Sequence, residues 1–177
     1  SANSSDATIT VDAASVRGTL SGDATVCSGT NSTGLTLTGH TGTISKWQSS
    51  TDDWASVTDI SNTNDTYTAT NLTTTTKYRV VVTNGACSSN SSVATVTVDP
   101  VSTGGTLGGT TAVCTGTNST VLTLTGYTGS ITKWQSSVDN WVTPVDISNT
   151  NATYTATNLA QTTKYRVVVT SGVCSSA

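Results

Sequence analysis

The chain has 177 residues, a formal charge of −3 and an isoelectric point near 4.7, which argues against nucleic acid as a partner. Only 10% of the residues are charged, and glutamate, methionine and phenylalanine do not occur. Good helix formers are scarce, whereas the abundant Thr, Val, Ile, Tyr and Trp favour strands. No apolar stretch approaches the roughly 20 residues of a membrane-spanning helix, so no membrane insertion is expected.

Alternating apolar residues indicate folded strands rather than a disordered, Thr-rich stalk. In the run from Thr76 to Gly85, Tyr78, Val80 and Val82 share one face of a predicted strand. Proline is nearly absent, unlike in most low-complexity linkers. Strands are expected in the first repeat unit at residues 15–20, 24–27, 34–39, 43–50, 54–59, 65–71, 76–84 and 92–99, separated by turn-forming residues.

The sequence repeats itself with a period of 87 residues. Residues 14–90 and 101–177 align without a gap and are identical at 53 of 77 positions. A repeat of this length holds its own core, unlike a solenoid unit. The fold class is therefore predicted to be all-β, with two tandem immunoglobulin/fibronectin III-like β-sandwich modules in a linear array, at residues 13–99 and 100–177.

The register of the repeat also predicts the nature of the first residues. Residues 7–12, ATITVD, match residues 94–99, ATVTVD, at the same offset. Residues 1–12 are therefore expected to be the last strand of a preceding repeat or a donor strand, and module 100–177 is expected to lack its own last strand. Two interpretations stay open. The chain is a window on a longer array, or segment 6–12 of one copy completes the C-terminal module of a neighbouring copy.

Two aromatic positions per repeat are expected in the core. Leu72 and Tyr78, repeated as Leu159 and Tyr165, have the spacing of the tyrosine corner of fibronectin type III and immunoglobulin sandwiches. By the same resemblance, Trp47 and its counterpart Trp134 correspond to the core tryptophan of those sandwiches.

The four cysteines, in a chain without a metal-ligand cluster, indicate disulfides and an oxidising compartment. We expect one bridge within each repeat, Cys27–Cys87 and Cys114–Cys174. Each would close a loop of 60 positions and stabilise its module by about 4 kcal/mol.

Three segments carry a wider resemblance: ATVCSGTNSTGLTLTG, KWQSSTDDW, and the long run TDISNTNDTYTATNLTTTTKYRVVVTNGACSS. They are similar to the immunoglobulin-like repeats of very large Bacteroidetes surface proteins, which are typically exported by the type IX route and include adhesins and gliding-associated filaments. The resemblance implies an extracellular, cell-surface location. It also implies a structural role as a stiff stalk, adhesin or filament spacer, whose partners are adjacent repeats or copies of the same chain.

Catalytic and cofactor chemistry is not expected. The single histidine, His40, is replaced by Tyr127 in the second repeat, so no Ser–His–Asp set is repeated. The polar loop at Asp59–Asp65 offers oxygen ligands for calcium but is better interpreted as a turn. The chain is predicted not to be an enzyme and to need no cofactor.

Trp54 and Trp141 leave one alternative function open. Each follows a polar turn, STDD or SVDN, and an exposed tryptophan there could stack on a sugar ring. A carbohydrate-binding module that recognises surface glycans is therefore the rival hypothesis. The structural interpretation is that each tryptophan closes one end of its sandwich.

Overall fold

The computed structural model describes residues 1–175, in which every regular element is a β-strand. In the first repeat the strands are β1 (Val16–Ser21), β2 (Ala24–Cys27), β3 (Ser32–Thr41), β4 (Thr43–Ser50), β5 (Thr58–Ile60), β6 (Thr66–Thr70), β7 (Thr76–Asn84), β8 (Cys87–Asn90) and β9 (Ala94–Asp99). In the second they are β10 (Thr106–Gly108), β11 (Ser119–Thr125), β12 (Ser130–Ser137), β13 (Val145–Ile147), β14 (Thr153–Thr157), β15 (Lys164–Ser171) and β16 (Cys174–Ser175). Residues 176–177, the end of the predicted second module, lie outside the described residues.

The chain forms two compact units whose limits differ from those of the sequence repeats. The first unit contains Ser1–Ala24 and Thr30–Val98. The second contains Thr25–Gly29 together with the chain from Asp99 onward. A five-residue segment of the first sequence repeat thus belongs to the second unit. The predicted modules, 13–99 and 100–177, do not include this exchange.

The first unit is built from two antiparallel sheets. One has the order β1-β3-β6, and the other contains β9-β7-β4-β5, with β8 also paired to β7. The central β4–β7 pair carries a bulge between Ile44 and Lys46. Inward side chains alternate along β7, where Tyr78, Val80 and Val82 are all buried. This period of two arises because successive side chains of a strand point to opposite faces.

Aromatic rings fill the interior of the first unit. Trp47 on β4 is fully buried and lies 5.6 Å from the ring of Tyr67 on β6, which lies 5.8 Å from the ring of Tyr78. The indole N–H of Trp47 donates to the carbonyl oxygen of Asn64 at 3.0 Å. Burial raises the pKa of Tyr78 to about 12, because the phenolate would lose its water.

The second unit repeats this plan with a smaller second sheet. Its sheets have the orders β10-β11-β14 and β13-β12-β15-β16. The core is made of Leu122, Leu124, Ile131, Trp134 and Val169. Trp134 is fully buried, and its indole N–H donates to the carbonyl oxygen of Asn151 at 3.0 Å.

The prediction of an all-β fold with two sandwich modules is confirmed, but the strands of the first repeat differ from the expected ones in two places. The strand expected at residues 54–59 is only Thr58–Ile60, because Asp53 and Trp54 adopt positive φ and form a turn instead. Strand β8 was not foreseen. Residues 1–15 form no strand, since a lone strand has no ladder partner, and the assignment of residues 1–12 to a preceding repeat stays a prediction.

Candidate functional site

An aspartate covers the same glycine hairpin in both units. In the first unit the carboxylate of Asp12 accepts from the backbone N–H of Ala86 at 2.7 Å, and a Cβ on Gly85 would collide with that carboxylate. In the second unit, Asp99 accepts from the N–H of Val173 at 3.1 Å and packs on Gly172 in the same way. Asp12 and Asp99 are 87 residues apart, so the contact is a feature of the repeat.

The disulfide of this chain lies in the second unit and joins Cys27 to Cys174. The backbone carbonyl oxygen of Asp99 lies close to both halves of the disulfide. It accepts from the N–H of Ser28, the residue after Cys27, at 2.9 Å and lies 3.8 Å from the sulfur of Cys174. The predicted pairings Cys27–Cys87 and Cys114–Cys174 are therefore wrong. Their premise was that each repeat folds with its own residues only, whereas segment 25–29 belongs to the second unit.

The other two cysteines are free thiols. Cys87 is partly buried at the start of β8, with its sulfur 4.0 Å from the carbonyl oxygen of Asp12. This setting matches that of Cys174 beside Asp99. Cys114, the counterpart of Cys27, is exposed on a segment without regular structure, although the matching residues Ala24–Cys27 form strand β2.

In the first unit, strand β9 lies beside the start of β7 in the larger sheet. Strand β9 pairs with the start of β7 in the register Thr76↔Val96, Lys77↔Thr95 and Tyr78↔Ala94. Ala94 and Val96 are fully buried. The N–H of Val98 also donates to the hydroxyl of Thr75 at 3.0 Å. An Ala-x-Val alternation thus completes the sandwich.

The second unit has no strand at the equivalent edge within residues 1–175. Lys164 and Tyr165, the counterparts of Lys77 and Tyr78, begin β15 without a strand on that side. A groove of about 500 Å³ lies there instead, with apolar lining from Leu107, Leu122, Trp141, Leu159 and Tyr165. Tyr165 is only partly buried, in contrast to Tyr78. Burial raises the pKa of Tyr165 above its ordinary value, assisted by the neighbouring Tyr154.

An asparagine that the sequence analysis missed fixes the corner before the tyrosine strand. The side chain of Asn31 accepts from the N–H of Leu72 at 2.9 Å and donates to its carbonyl oxygen at 2.7 Å. Asn118 makes the same two bonds to Leu159, both at 2.9 Å. The sequence carries one signal for this role, the repetition of Asn31 as Asn118. That signal is weak, because Asn is common in the loops of this chain and the bonded residue, Leu72, lies 41 residues away from Asn31.

The two tryptophans proposed for sugar contact each carry an arginine on the ring. The guanidinium of Arg79 lies 4.1 Å from the ring centre of Trp54, and that of Arg166 lies 4.3 Å from the ring centre of Trp141. Such a cation–π contact favours a fixed, partly covered indole. A serine hydroxyl, that of Ser50 or Ser137, stabilises the turn before each ring by accepting a hydrogen bond from the backbone N–H of the tryptophan at 2.8 Å. Sugar binding by these rings stays a prediction.

The polar loop weighed for calcium is occupied by internal bonds. The carboxylate of Asp59 accepts from Lys46 at 2.6 Å and from Gln48 at 2.8 Å, and these bonds lower its pKa. Asn62 bonds to the backbone of Asn64 and Thr66. Among the described residues no group of three or more His, Cys, Asp or Glu is placed to hold a metal ion.

In the same part of the chain, no helix is long and apolar enough to cross a membrane.

The paired antiparallel sheets, the buried tryptophan of each unit and the 87-residue repeat define a tandem of immunoglobulin/fibronectin III-like β-sandwich domains. A family model described as "Domain of unknown function (DUF8696)" matches residues 16–100 and again residues 103–177. The chain therefore belongs to this family, with two copies of the domain. A search of the curated proteins finds no match.

Solved structures similar to the chain contain fibronectin domains. One is a segment of two fibronectin type III domains from chicken tenascin, with a TM-score of 0.41 and 14% identity over 92% of this chain and 95% of that one. Another holds domains FN1–FN3 of chicken CNTN1, with a TM-score of 0.34 and 11% identity over 89% of this chain and 60% of that one.

Proposed function

We propose that the chain is a structural repeat of an extracellular bacterial surface protein. It serves as a stiff spacer in a stalk, adhesin or filament. The support lies in the repetition of the module, in the disulfide, which suits an oxidising compartment outside the cytoplasm, and in the resemblance to repeats of large Bacteroidetes surface proteins. Trp54 and Trp141 are assigned a structural role in this proposal, because arginine covers one face of each ring.

The observation that carries the proposal is the position of the disulfide. Cys27 and Cys174 are separated by 147 residues, so the bridge spans nearly the whole of both sequence repeats. A chain pulled from its two ends transmits the force through this bridge. The residues between the two sulfurs then carry no tension. They do not unfold when the chain is pulled, so the spacer keeps its length.

Single-molecule force spectroscopy tests this function. In the oxidised protein, held by handles at its two ends, we expect almost no unfolding length from residues between the two bridged cysteines. Reduction, or the Cys27→Ser variant, releases this segment. The gain in contour length is then about 500 Å, from 147 residues at about 3.4 Å each.

The free thiol Cys87 provides the matched control. Cys87→Ser should leave the oxidised protein as inextensible as the unchanged chain, because Cys87 takes no part in the bridge. Equal extension of the oxidised chain and of Cys27→Ser would contradict a load-bearing role.

A further inference from the structure

We propose that the hairpin between β7 and β8 carries a site of spontaneous covalent modification, the Asn84–Gly85 pair. Asn84 deamidates through a succinimide, which places a carboxylate at the tip of the hairpin and, in the main product, lengthens its backbone. The reaction needs no enzyme and no reactant other than water. The second unit has Ser171 before the matching Gly172, so this change with time is confined to the first unit.

Asn84 differs from the other asparagines of the chain in the residue that follows it. The chain has twelve asparagines, and the residues after the other eleven all carry a side chain. Succinimide formation brings the backbone nitrogen of the following residue onto the side-chain carbon of the asparagine. A Cβ on that residue obstructs the approach, whereas glycine allows it.

The geometry of the hairpin leaves the attacking nitrogen accessible. Asn84 pairs with Cys87, so Gly85 and Ala86 form a two-residue turn. The ladder bonds of such a hairpin join the residues on either side of the turn, which leaves the nitrogen of Gly85 outside the ladder. Gly85 is also exposed and has a φ of 56°, a conformation that glycine adopts without strain.

The side-chain amide of Asn84 lacks the hydrogen bonds that hold other loop asparagines. The amides of Asn31 and Asn118 bond to the backbone of a leucine at the corner before the tyrosine strand. Those of Asn62 and Asn149 each donate to a carbonyl oxygen four residues later. Among the described residues no partner is found for the amide of Asn84. Attack on its Cγ atom therefore breaks no side-chain hydrogen bond.

Water alone balances the reaction. The nitrogen of Gly85 gives up its proton and attacks Cγ of Asn84, and the side-chain amide nitrogen leaves with that proton as ammonia. The product is a five-membered succinimide. Water then adds to one of the two ring carbonyl groups and opens the ring. Addition at Cγ gives an aspartate at position 84, and addition at the main-chain carbon gives isoaspartate. One water is consumed and one ammonia is released, without oxidation or reduction.

Isoaspartate changes the length of the hairpin backbone. The peptide bond to Gly85 then runs through Cγ, which adds one atom to the main chain between residues 84 and 85. In a two-residue hairpin the turn fixes the register of the strands. The additional atom therefore disturbs the pairs Asn84↔Cys87 and Thr83↔Ser88 at the end of β7 and β8.

The new carboxylate also lies beside Asp12. The carboxylate of Asp12 accepts from the N–H of Ala86 at 2.7 Å and packs on Gly85. Neighbouring Cα atoms are about 3.8 Å apart, so the charge at position 84 is one residue away from this contact. That separation is comparable with the screening length of about 8 Å at physiological salt. Repulsion between the two carboxylates therefore weakens the bond from Ala86 to Asp12.

Peptide mapping by mass spectrometry tests the site. The 177-residue chain is incubated in mildly alkaline buffer, which favours loss of the Gly85 proton, and is sampled over time. We expect Asn84 to convert at least tenfold faster than Asn118, with isoaspartate as the larger product. The formal charge of the chain then changes from −3 to −4, which ion-exchange chromatography detects.

Asn84→Ser is the matched control, because it copies the hairpin of the second unit, and it should show no charge change over the same time. Equal conversion of Asn84 and Asn118 would overturn the assignment of this site.

Hydrogen exchange tests the effect on the hairpin. In the aged chain, protection of the Ala86 N–H should fall at least fivefold. Asn84→Asp supplies the charge without the additional backbone atom, and it should also lower this protection. The N–H of Val173, which donates to Asp99 in the second unit, is the internal control and should keep its protection. Unchanged protection of Ala86 in both samples would overturn the inferred weakening of the Asp12 contact.

Discussion

At the residue scale, the turn before Trp141 holds a strongly perturbed carboxylate. Asp139 accepts from the hydroxyl of Thr143, from the hydroxyl of Ser137 at 2.8 Å and from the backbone N–H of Thr143 at 3.0 Å. These bonds, with the Thr143 hydroxyl first, lower its pKa from 3.8 to about 2. The folded-state pKa is depressed, so the contribution of Asp139 to stability is present above pH 4 and is lost as the pH falls towards 2.

Thr143→Val tests this turn. The variant keeps the branched shape but removes the hydroxyl donor, so the pKa of Asp139 should rise towards its ordinary value. The loss of stability between pH 4 and pH 2 should then be smaller than in the unchanged chain. A carboxyl NMR titration of Asp139 measures the midpoint, and the exposed Thr123→Val is the control. An unchanged midpoint in Thr143→Val would contradict the assigned cause.

At the scale of elements, the corner between β6 and β7 depends on Asn31. Its amide closes two hydrogen bonds to the backbone of Leu72. Asn31→Ala leaves that N–H and carbonyl group without these partners in a part-buried place. We expect a loss of about 2 kcal/mol in the free energy of unfolding, from two bonds of about 1 kcal/mol each.

Urea denaturation measures this loss, and Asn90→Ala, at an exposed position of β8, is the control with little expected change. Asn118→Ala should produce a similar loss through Leu159. Ordinary surface substitutions change the free energy of unfolding by less than about 0.5 kcal/mol. A loss of that size for Asn31→Ala would contradict the prediction, because it would mean that water replaces both hydrogen bonds of the amide.

At the scale of the whole molecule, the disulfide restrains the unfolded chain over 147 residues. In the loop-entropy model a bridge of this span stabilises the folded state by about 5 kcal/mol. Cys27→Ser should therefore lower the free energy of unfolding by several kcal/mol under non-reducing conditions. Cys87→Ser should change it by less than about 0.5 kcal/mol.

The same pair of variants distinguishes the observed pairing from the one expected within each repeat. If Cys27 were bonded to Cys87, both substitutions would break the same bridge and cost the same. Equal losses in urea denaturation would therefore contradict the Cys27–Cys174 bridge. Addition of a reductant should bring the unchanged chain to the stability of Cys27→Ser.

The sequence by itself determined the features that depend on local pattern. The alternation along residues 76–84 predicts a strand with Tyr78, Val80 and Val82 inward, because side chains alternate between faces whatever the partner strand is. The 87-residue period predicts two similar sandwiches. The polar turn before Trp54 is predicted, but its continuation through Trp54 is not, because positive φ at a tryptophan is rare and leaves no signal in composition.

Only the tertiary structure decided which cysteines meet. A disulfide requires two Cα atoms within about 7 Å, and those of Cys27 and Cys174 are 5.6 Å apart. That proximity depends on which unit receives segment 25–29, a choice between two nearly identical repeats that local sequence cannot make.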